Sequence, residues 1–111
     1  HIPTDEEWTE LENLLEEEAG KKLKSKNGWK DSGNCTDLVG FKALPGGFRY
    51  SDGSFLDIRN IAFFWSAGWD SVNNSISLGR WLNFINSYAY RDHTAFVFTA
   101  KTGASVRCLK D

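Results

Sequence analysis

Residue types that carry nucleophilic or acid–base catalysis are scarce in this sequence. His93 is the only histidine beyond position 1, and the neighbouring Asp92 could orient its ring. Cys35 and Cys108 are the two candidate thiol nucleophiles, but the first falls in a predicted turn and the second in a predicted core strand. Neither a GxSxG nor an HExxH motif is present. We therefore expect a protein that is not an enzyme.

Metal-binding patterns are equally weak. The two cysteines form no CxxC or Cys/His pattern typical of zinc. Several acids fall in predicted loops, but none has the spacing of a calcium-binding loop, and we interpret them as hydrated surface side chains. They are Asp31, Asp37, Asp52 and Asp57. The sequence predicts neither a metal nor a cofactor.

A different chemistry is concentrated between Gly68 and Thr94, where aromatic rings alternate with amide and charged side chains. Such rings give large contact areas at small entropic cost, and amides supply directional hydrogen bonds, so the mixture favours recognition of a glycan or a protein. The candidate ligand-binding residues are Trp69, Asn73, Asn74, Trp81, Asn83, Asn86, Tyr88, Tyr90, Asp92 and His93. Those expected to be exposed are Asn73, Asn83, Asn86 and Tyr90. Trp81 fits a core position as well as a surface one.

The composition places these residues in one folded domain. The chain has 111 residues, of which 41% are hydrophobic and 25% charged, enough for a single core and too few for two ordinary domains. Its longest apolar run, residues 61–65, is far shorter than the roughly 20 residues of a membrane-spanning helix. We therefore expect one soluble domain over residues 1–111.

Charge is distributed unevenly along the chain. Residues 1–18 hold eight acids and no Lys or Arg, and a dense group of lysines follows directly. These are Lys21, Lys22, Lys24, Lys26 and Lys30. We interpret them as a solvated surface partly neutralised by the acids rather than a phosphate-binding stripe. Nucleic acid is therefore not an expected partner.

The first element that the sequence predicts is a helix. Residues 4–7 form a capping box, in which Thr4 and Glu7 each accept a hydrogen bond from the other's backbone. Beyond it, apolar residues recur at helical spacing, and Gly20 is expected to end the helix. The apolar stripe consists of Trp8, Leu11, Leu15 and Ala19.

Glycine-rich turns follow between residues 27 and 53, and the remainder is rich in aromatic and β-branched residues that predict short antiparallel strands. The predicted strands are residues 55–58, 61–66, 76–84, 95–100 and 104–109. Alternation in the last of these puts Cys108 on a buried face. A Cys35–Cys108 bridge would contribute about 4 kcal/mol if the geometry permits it. Together the elements predict an α+β fold.

Several sequence blocks resemble the Fibrobacter succinogenes major paralogous domain, from the first residue to the last. The blocks include residues 1–8, ALPGGFR at 43–49, DGSF at 52–55 and SVRCLKD at 105–111. The resemblance implies a C-type-lectin-like fold shared with formylglycine-generating enzymes, whose LPTEAEW motif is similar to residues 2–8. It also implies an exported bacterial protein, often a lipoprotein or surface protein, whose ligand surface is built on residues 69–93. The enzyme's catalytic cysteines have no counterparts here.

Departures from the family pattern lead to a second hypothesis. Family members usually begin earlier, with a strand and a Cys-Pro-x-Gly-Trp stretch whose cysteine is the natural partner of Cys108. On this resemblance the chain is expected to lack an N-terminal strand, and Cys108 to be free, bridged to Cys35 or left unpaired. An open sheet edge would then favour a structural or assembly module of a cell-surface protein acting through strand pairing. This is the alternative to a binding module.

Overall fold

The computed structural model describes residues 1–69, 77–92 and 101–111. These residues form an α+β domain with short helices and antiparallel sheets, as the sequence predicts. The helices are α1 (Asp5–Leu15) and α2 (Ala19–Leu23). The strands are β1 (Phe48–Arg49), β2 (Phe55–Leu56), β3 (Ile61–Trp69), β4 (Ser77–Asn83) and β5 (Tyr90–Asp92). The predicted strand over residues 95–100 lies outside the described residues.

Helix α1 begins with the predicted capping box. The backbone N–H of Glu7 donates to Thr4 Oγ1 at 3.2 Å, and the N–H of Thr4 donates to Glu7 Oε2 at 2.8 Å. The predicted end at Gly20 is wrong, because α1 ends at Leu15 and a turn separates it from α2. Leu15 lies before that turn and Ala19 after it, and both are buried. Their helical spacing in the sequence therefore gives no sign that the helix is interrupted between them.

The main sheet has the strand order β3-β4-β5, with antiparallel pairing throughout. Its register places Phe63, Trp81 and Tyr90 side by side across the three strands. Strands β1 and β2 form a separate antiparallel pair. Neither β1 nor β5 is predicted from the sequence, because strands of two and three residues are too short to show alternation.

Within the described residues, the outer edge of β3 carries isolated bridges rather than a further strand. Single bridges join it to Thr4, Gly47 and Ser105. The predicted strand over residues 104–109 is therefore wrong, since only Ser105 pairs with β3. Beyond that bridge the chain turns to the N-terminus, where His1 and Leu109 exchange two backbone hydrogen bonds.

The departure of this segment from the sheet also corrects the expected burial of Cys108. Its side chain is exposed, whereas Cys35 is half-buried, and both are free cysteines. Because the 106–111 segment lies on the surface, alternation along it does not select a buried face.

The core lies between α1 and one face of the main sheet. The rings of Trp8, Phe41 and Phe64 meet there, with centroids 5.6 to 5.9 Å apart. Ion pairs lie in the same interface. The buried guanidinium of Arg80 on β4 contacts the carboxylates of both Asp5 and Glu12 on α1. The helix is thus attached to the sheet by apolar packing and by ion pairs.

Candidate binding surface

The predicted recognition residues fall into three groups in the structure. Asn73, Asn74 and His93 lie outside the described residues. The backbones of Trp69 and Asp92 end β3 and β5. The remaining five, whose side chains are described, lie together at the end of β4, in the following loop and at the start of β5. They are Trp81, Asn83, Asn86, Tyr88 and Tyr90.

Trp81 and Tyr90 form an aromatic stack on neighbouring strands. Their ring centroids are 4.3 Å apart and the ring planes are inclined by only 16°. The stack continues beneath Trp81 to the buried ring of Phe63, whose centroid is 6.2 Å away. Both stacked rings are half-buried. Trp81 is therefore partly a core and partly a surface residue, and Tyr90 is less exposed than the sequence predicts.

Asn86 links this stack to the exposed ring of Tyr88. Its side-chain nitrogen donates to the Tyr90 hydroxyl at 2.8 Å, and its side-chain oxygen accepts from the backbone N–H of Tyr88 at 3.1 Å. Tyr88 is 61% exposed, and its ring meets Tyr90 edge-on with centroids 6.1 Å apart. We call Trp81, Asn86, Tyr88 and Tyr90 the aromatic–amide surface. It brings together four of the ten predicted residues.

Asn83 does not belong to that surface, and the expectation that it is exposed is wrong. Its residue exposure is 9%, and its side-chain oxygen accepts hydrogen bonds from the backbone N–H groups of Ile85 and Asn86. An asparagine that satisfies the amides after a strand end stabilises the turn locally. Asn83 therefore shapes the loop that carries Tyr88.

A buried lysine fixes the same loop from below. Lys24 is 1% exposed, and its Nζ donates to the carbonyl oxygens of Asn83 at 2.9 Å and Asn86 at 2.8 Å. The ammonium group also lies 5.1 Å from the ring centroid of Trp29. Assignment of Lys24 to a solvated surface is therefore wrong. Its neighbours in the sequence include Leu23 and further lysines, and they give no signal of its burial.

Helix α2 holds the other side of the loop through close backbone contact. The N–H of Lys21 donates to the Ser87 carbonyl at 3.1 Å. A Cβ atom at Gly20 would lie 2.2 Å from the carbonyl oxygen of Tyr88, so only glycine permits this approach. Residues 84–89 are thus fixed in position although they form no regular strand or helix.

An acidic cleft of about 420 Å³ lies beside Tyr88. The end of α1 and the turn after it provide most of its lining, and the start of α2 and the loop before β5 provide the rest. The residues that line it are Glu12, Asn13, Glu16, Glu17, Glu18, Ala19, Tyr88 and Ala89. Sequence reasoning missed this cleft because it treated residues 5–19 as one continuous helix.

Two carboxyl groups near this cleft, both paired with arginine, have pKa values shifted in opposite directions. Burial raises the pKa of Glu12, and the attraction of Arg80 only partly offsets it. Burial also opposes ionisation of Asp5, but hydrogen bonds from Arg91 and Arg80 outweigh it and hold the pKa of Asp5 below its usual value. These groups connect α1 to β4 and β5.

Metal-ligand clusters and membrane-spanning helices are both absent from the described part of the chain. No three His, Cys, Asp or Glu side chains there come together in a group that could hold a metal ion. Among the helices described, none is long and apolar enough to cross a membrane.

Sequence comparison assigns this α+β domain to a family. Residues 1–110 match the model of the Fibrobacter succinogenes major domain. The chain therefore belongs to that family, as the ALPGGFR, DGSF and SVRCLKD blocks predict. Comparison with curated proteins and with solved structures gives no significant match.

Proposed function

We propose that this domain is a non-catalytic binding module that recognises a glycan or a protein through the aromatic–amide surface. The observation that carries the proposal is the exposed ring of Tyr88 on a loop held by the buried ammonium group of Lys24. A large ring in water has its contact area available, and its fixed loop reduces the entropy lost on binding. The half-buried Trp81–Tyr90 stack supports that ring from behind.

The family membership supports a more specific proposal about the fold and the location of the protein. We propose that the fold is C-type-lectin-like and related to that of formylglycine-generating enzymes. In such folds, loops and strands of the C-terminal half carry the ligand surface, and Tyr88 lies in that half. On the same grounds we propose an exported bacterial protein located at the cell surface or outside the cell.

The alternative, a structural or assembly module, depends on an open sheet edge beside the last strand. Residues 104–109 form no strand, and Thr4, Gly47 and Ser105 contact the outer edge of β3. No described feature favours strand exchange over ligand recognition.

A glycan array and a pull-down from the surface fraction of the native host would test the proposal with three matched variants. Tyr88→Ala should reduce binding by about tenfold or more, because it removes an exposed aromatic contact. Tyr88→Phe should retain most of it, and Ile85→Ala is the control, since Ile85 is 76% exposed on the same loop. Equal binding by wild type and Tyr88→Ala would remove this surface as the site.

A further inference from the structure

A second cleft lies at the β1–β2 hairpin, and it shares no residue with the aromatic–amide surface. Its volume is about 290 Å³. It is lined by the glycine pair at 46–47, by the segment 103–105 and by residues of the hairpin. The side chains that give it chemical character are Phe48, Arg49, Phe55 and Ser105. Neither the family assignment nor the proposed function accounts for it.

Arg49 and Phe55 are held side by side by the strand register. They are paired across β1 and β2, and paired residues on antiparallel strands project to the same face. The backbone N–H and C=O of Arg49 both bond to Gly103, each at 2.8 Å, so they point away from β2. Arg49 and Phe55 are therefore a non-hydrogen-bonded pair, the arrangement in which side chains come closest.

The guanidinium of Arg49 has donors that the protein does not use. Arg49 is exposed, and its side chain lies over the Gly53 turn without a hydrogen bond or salt bridge to the described residues. After the hydrogen bonds from Ser54, the charge of Arg49 is a smaller cause of the lowered pKa of Asp52. One carboxylate oxygen of nearby Asp52 accepts both from the backbone N–H and from the hydroxyl of Ser54. Beside it, Phe55 is 81% exposed. An exposed aromatic ring beside an exposed guanidinium offers both an apolar face and a charged hydrogen-bond donor to a ligand.

We propose that this cleft binds an acidic sugar residue of the uronate type. The guanidinium pairs with the sugar carboxylate through two parallel N–H to oxygen bonds, and the C–H face of the sugar packs on the Phe55 ring. Ser105 is exposed and also lines the cleft, so its hydroxyl can meet a hydroxyl group of the sugar. The cleft is shallow and has a volume of about 290 Å³, so a single sugar ring could lie on its surface.

The hydrogen bonding of the cleft favours a sugar over a peptide. Peptide recognition by strand addition or by carboxylate capture requires free backbone N–H groups. In this cleft five of the eight lining residues already donate their backbone N–H within the protein. Those donors are Gly46, Gly47, Arg49, Gly103 and Ser105, which bond respectively to the carbonyls of Leu44, Ile61, Gly103, Arg49 and Phe63. The lining therefore offers no continuous row of free backbone donors, whereas its side chains suit a carboxylate and hydroxyl groups.

The test is an NMR chemical-shift titration of the full chain with glucuronate and, separately, with glucose. Glucuronate should bind about tenfold more tightly than glucose, because it alone can pair with the guanidinium. Arg49→Gln should abolish that preference, Arg49→Lys should retain part of it, and Phe55→Ala should weaken both sugars. Both residues are exposed, so the variants should fold, and thermal unfolding checks this.

Tyr88→Ala is the control that separates this inference from the proposed function. It should leave the glucuronate affinity unchanged even where it abolishes binding on the glycan array. Equal affinities for glucose and glucuronate, or an unchanged preference in Arg49→Gln, would overturn the inference. So would loss of glucuronate binding in Tyr88→Ala. Tighter binding of N-acetylphenylalanine than of glucuronate, with shifts at Phe55, would assign the cleft to a peptide carboxylate and overturn the sugar assignment.

Discussion

The ammonium nitrogen of Lys24 lies 2.8 Å from the carbonyl oxygen of Asn86, although 62 residues separate the two in sequence. This contact joins the end of α2 to the loop that carries the exposed ring of Tyr88. A buried ammonium group without a carboxylate must be satisfied by other acceptors, and here two backbone carbonyls and the face of Trp29 provide them. The Lys24 ammonium group therefore fixes the loop in position, and the loop carbonyls in turn allow that group to be buried.

Lys24→Met is the first prediction. It keeps the apolar stem but leaves the carbonyls of Asn83 and Asn86 without their donor in a buried site. We expect the free energy of unfolding to fall by about 2 kcal/mol, and the amide resonances of residues 84–89 to shift. Urea unfolding and two-dimensional NMR measure the two effects. Lys26→Met is the control, since Lys26 is exposed and its replacement should change stability by less than about 0.5 kcal/mol. A similar loss in both variants would contradict the assigned role of Lys24.

The same contact shows which parts of this fold the sequence can predict. Local signals succeed: the Thr4–Glu7 capping box and the hydrophobic pattern that becomes β3 depend on neighbouring residues, and both are present in the structure. Contacts between residues far apart in the sequence cannot be predicted from such local signals. Nothing near Lys24 in the sequence indicates that carbonyls about 60 residues away will accept hydrogen bonds from its ammonium group. Its charge therefore suggested a solvated side chain.

The prediction of the candidate surface follows the same division. The types of Tyr88, Asn86 and Tyr90 are those of a recognition surface, and residue type is a local property. Exposure, by contrast, is set by tertiary packing. The expectation that Asn83 is exposed is therefore wrong, whereas Asn86, three residues further on, contributes to the surface. The prediction that Cys108 is buried assumes that strand alternation continues beyond Ser105. In the structure the chain has left the sheet at that point, and Cys108 is exposed.

Arg80→Met is the second prediction. Arg80 is buried on β4, and its guanidinium contacts the carboxylates of Asp5 and Glu12 on α1. Removing it leaves both acids without that cation in a partly buried interface, so we expect a loss of about 3 kcal/mol in the free energy of unfolding. Thermal and urea unfolding measure it.

The control for Arg80→Met is Lys21→Ala, because Lys21 forms an exposed ion pair with Glu18 at 3.4 Å. Such a pair contributes at most about 1 kcal/mol. If the two variants lose equal stability, the Arg80 contacts do not hold α1 on the sheet.

The third prediction concerns stability in acid. The pKa of Asp5 in the folded protein lies below its usual value of 3.8, so its contribution to stability is complete above that pH. The contribution is lost as the pH falls through the lower, folded pKa. Glu12 acts in the opposite sense, since its raised pKa favours the protonated folded form and adds stability on acidification. Carboxyl carbon NMR should therefore show Asp5 titrating below 3.8 and Glu12 above 4.5.

Two variants separate the contributions to this acid behaviour. Arg91→Gln removes one donor to Asp5, so the pKa of Asp5 should rise towards its usual value. Asp5→Asn should remove the part of the acid loss that titrates with Asp5, leaving a shallower decline in stability below pH 3.8. An unchanged acid profile in Asp5→Asn would mean that other groups set it.

Gly20→Ala is the fourth prediction, and it opposes what helix propensity alone implies. Within a helix, alanine is more favourable than glycine by about 1 kcal/mol. At this position, however, the added Cβ would lie 2.2 Å from the carbonyl oxygen of Tyr88 and 2.8 Å from that of Ser87, both of them backbone atoms that cannot simply rotate away. We expect the clash to prevail, with a net loss of about 2 kcal/mol in the free energy of unfolding. Gly46→Ala is the matched control, because its Cβ would have only Ser105 Oγ, at 3.8 Å, within 4 Å. If Gly20→Ala were as stable as Gly46→Ala, and Tyr88 amide shifts were unchanged, α2 would not press against the loop as described.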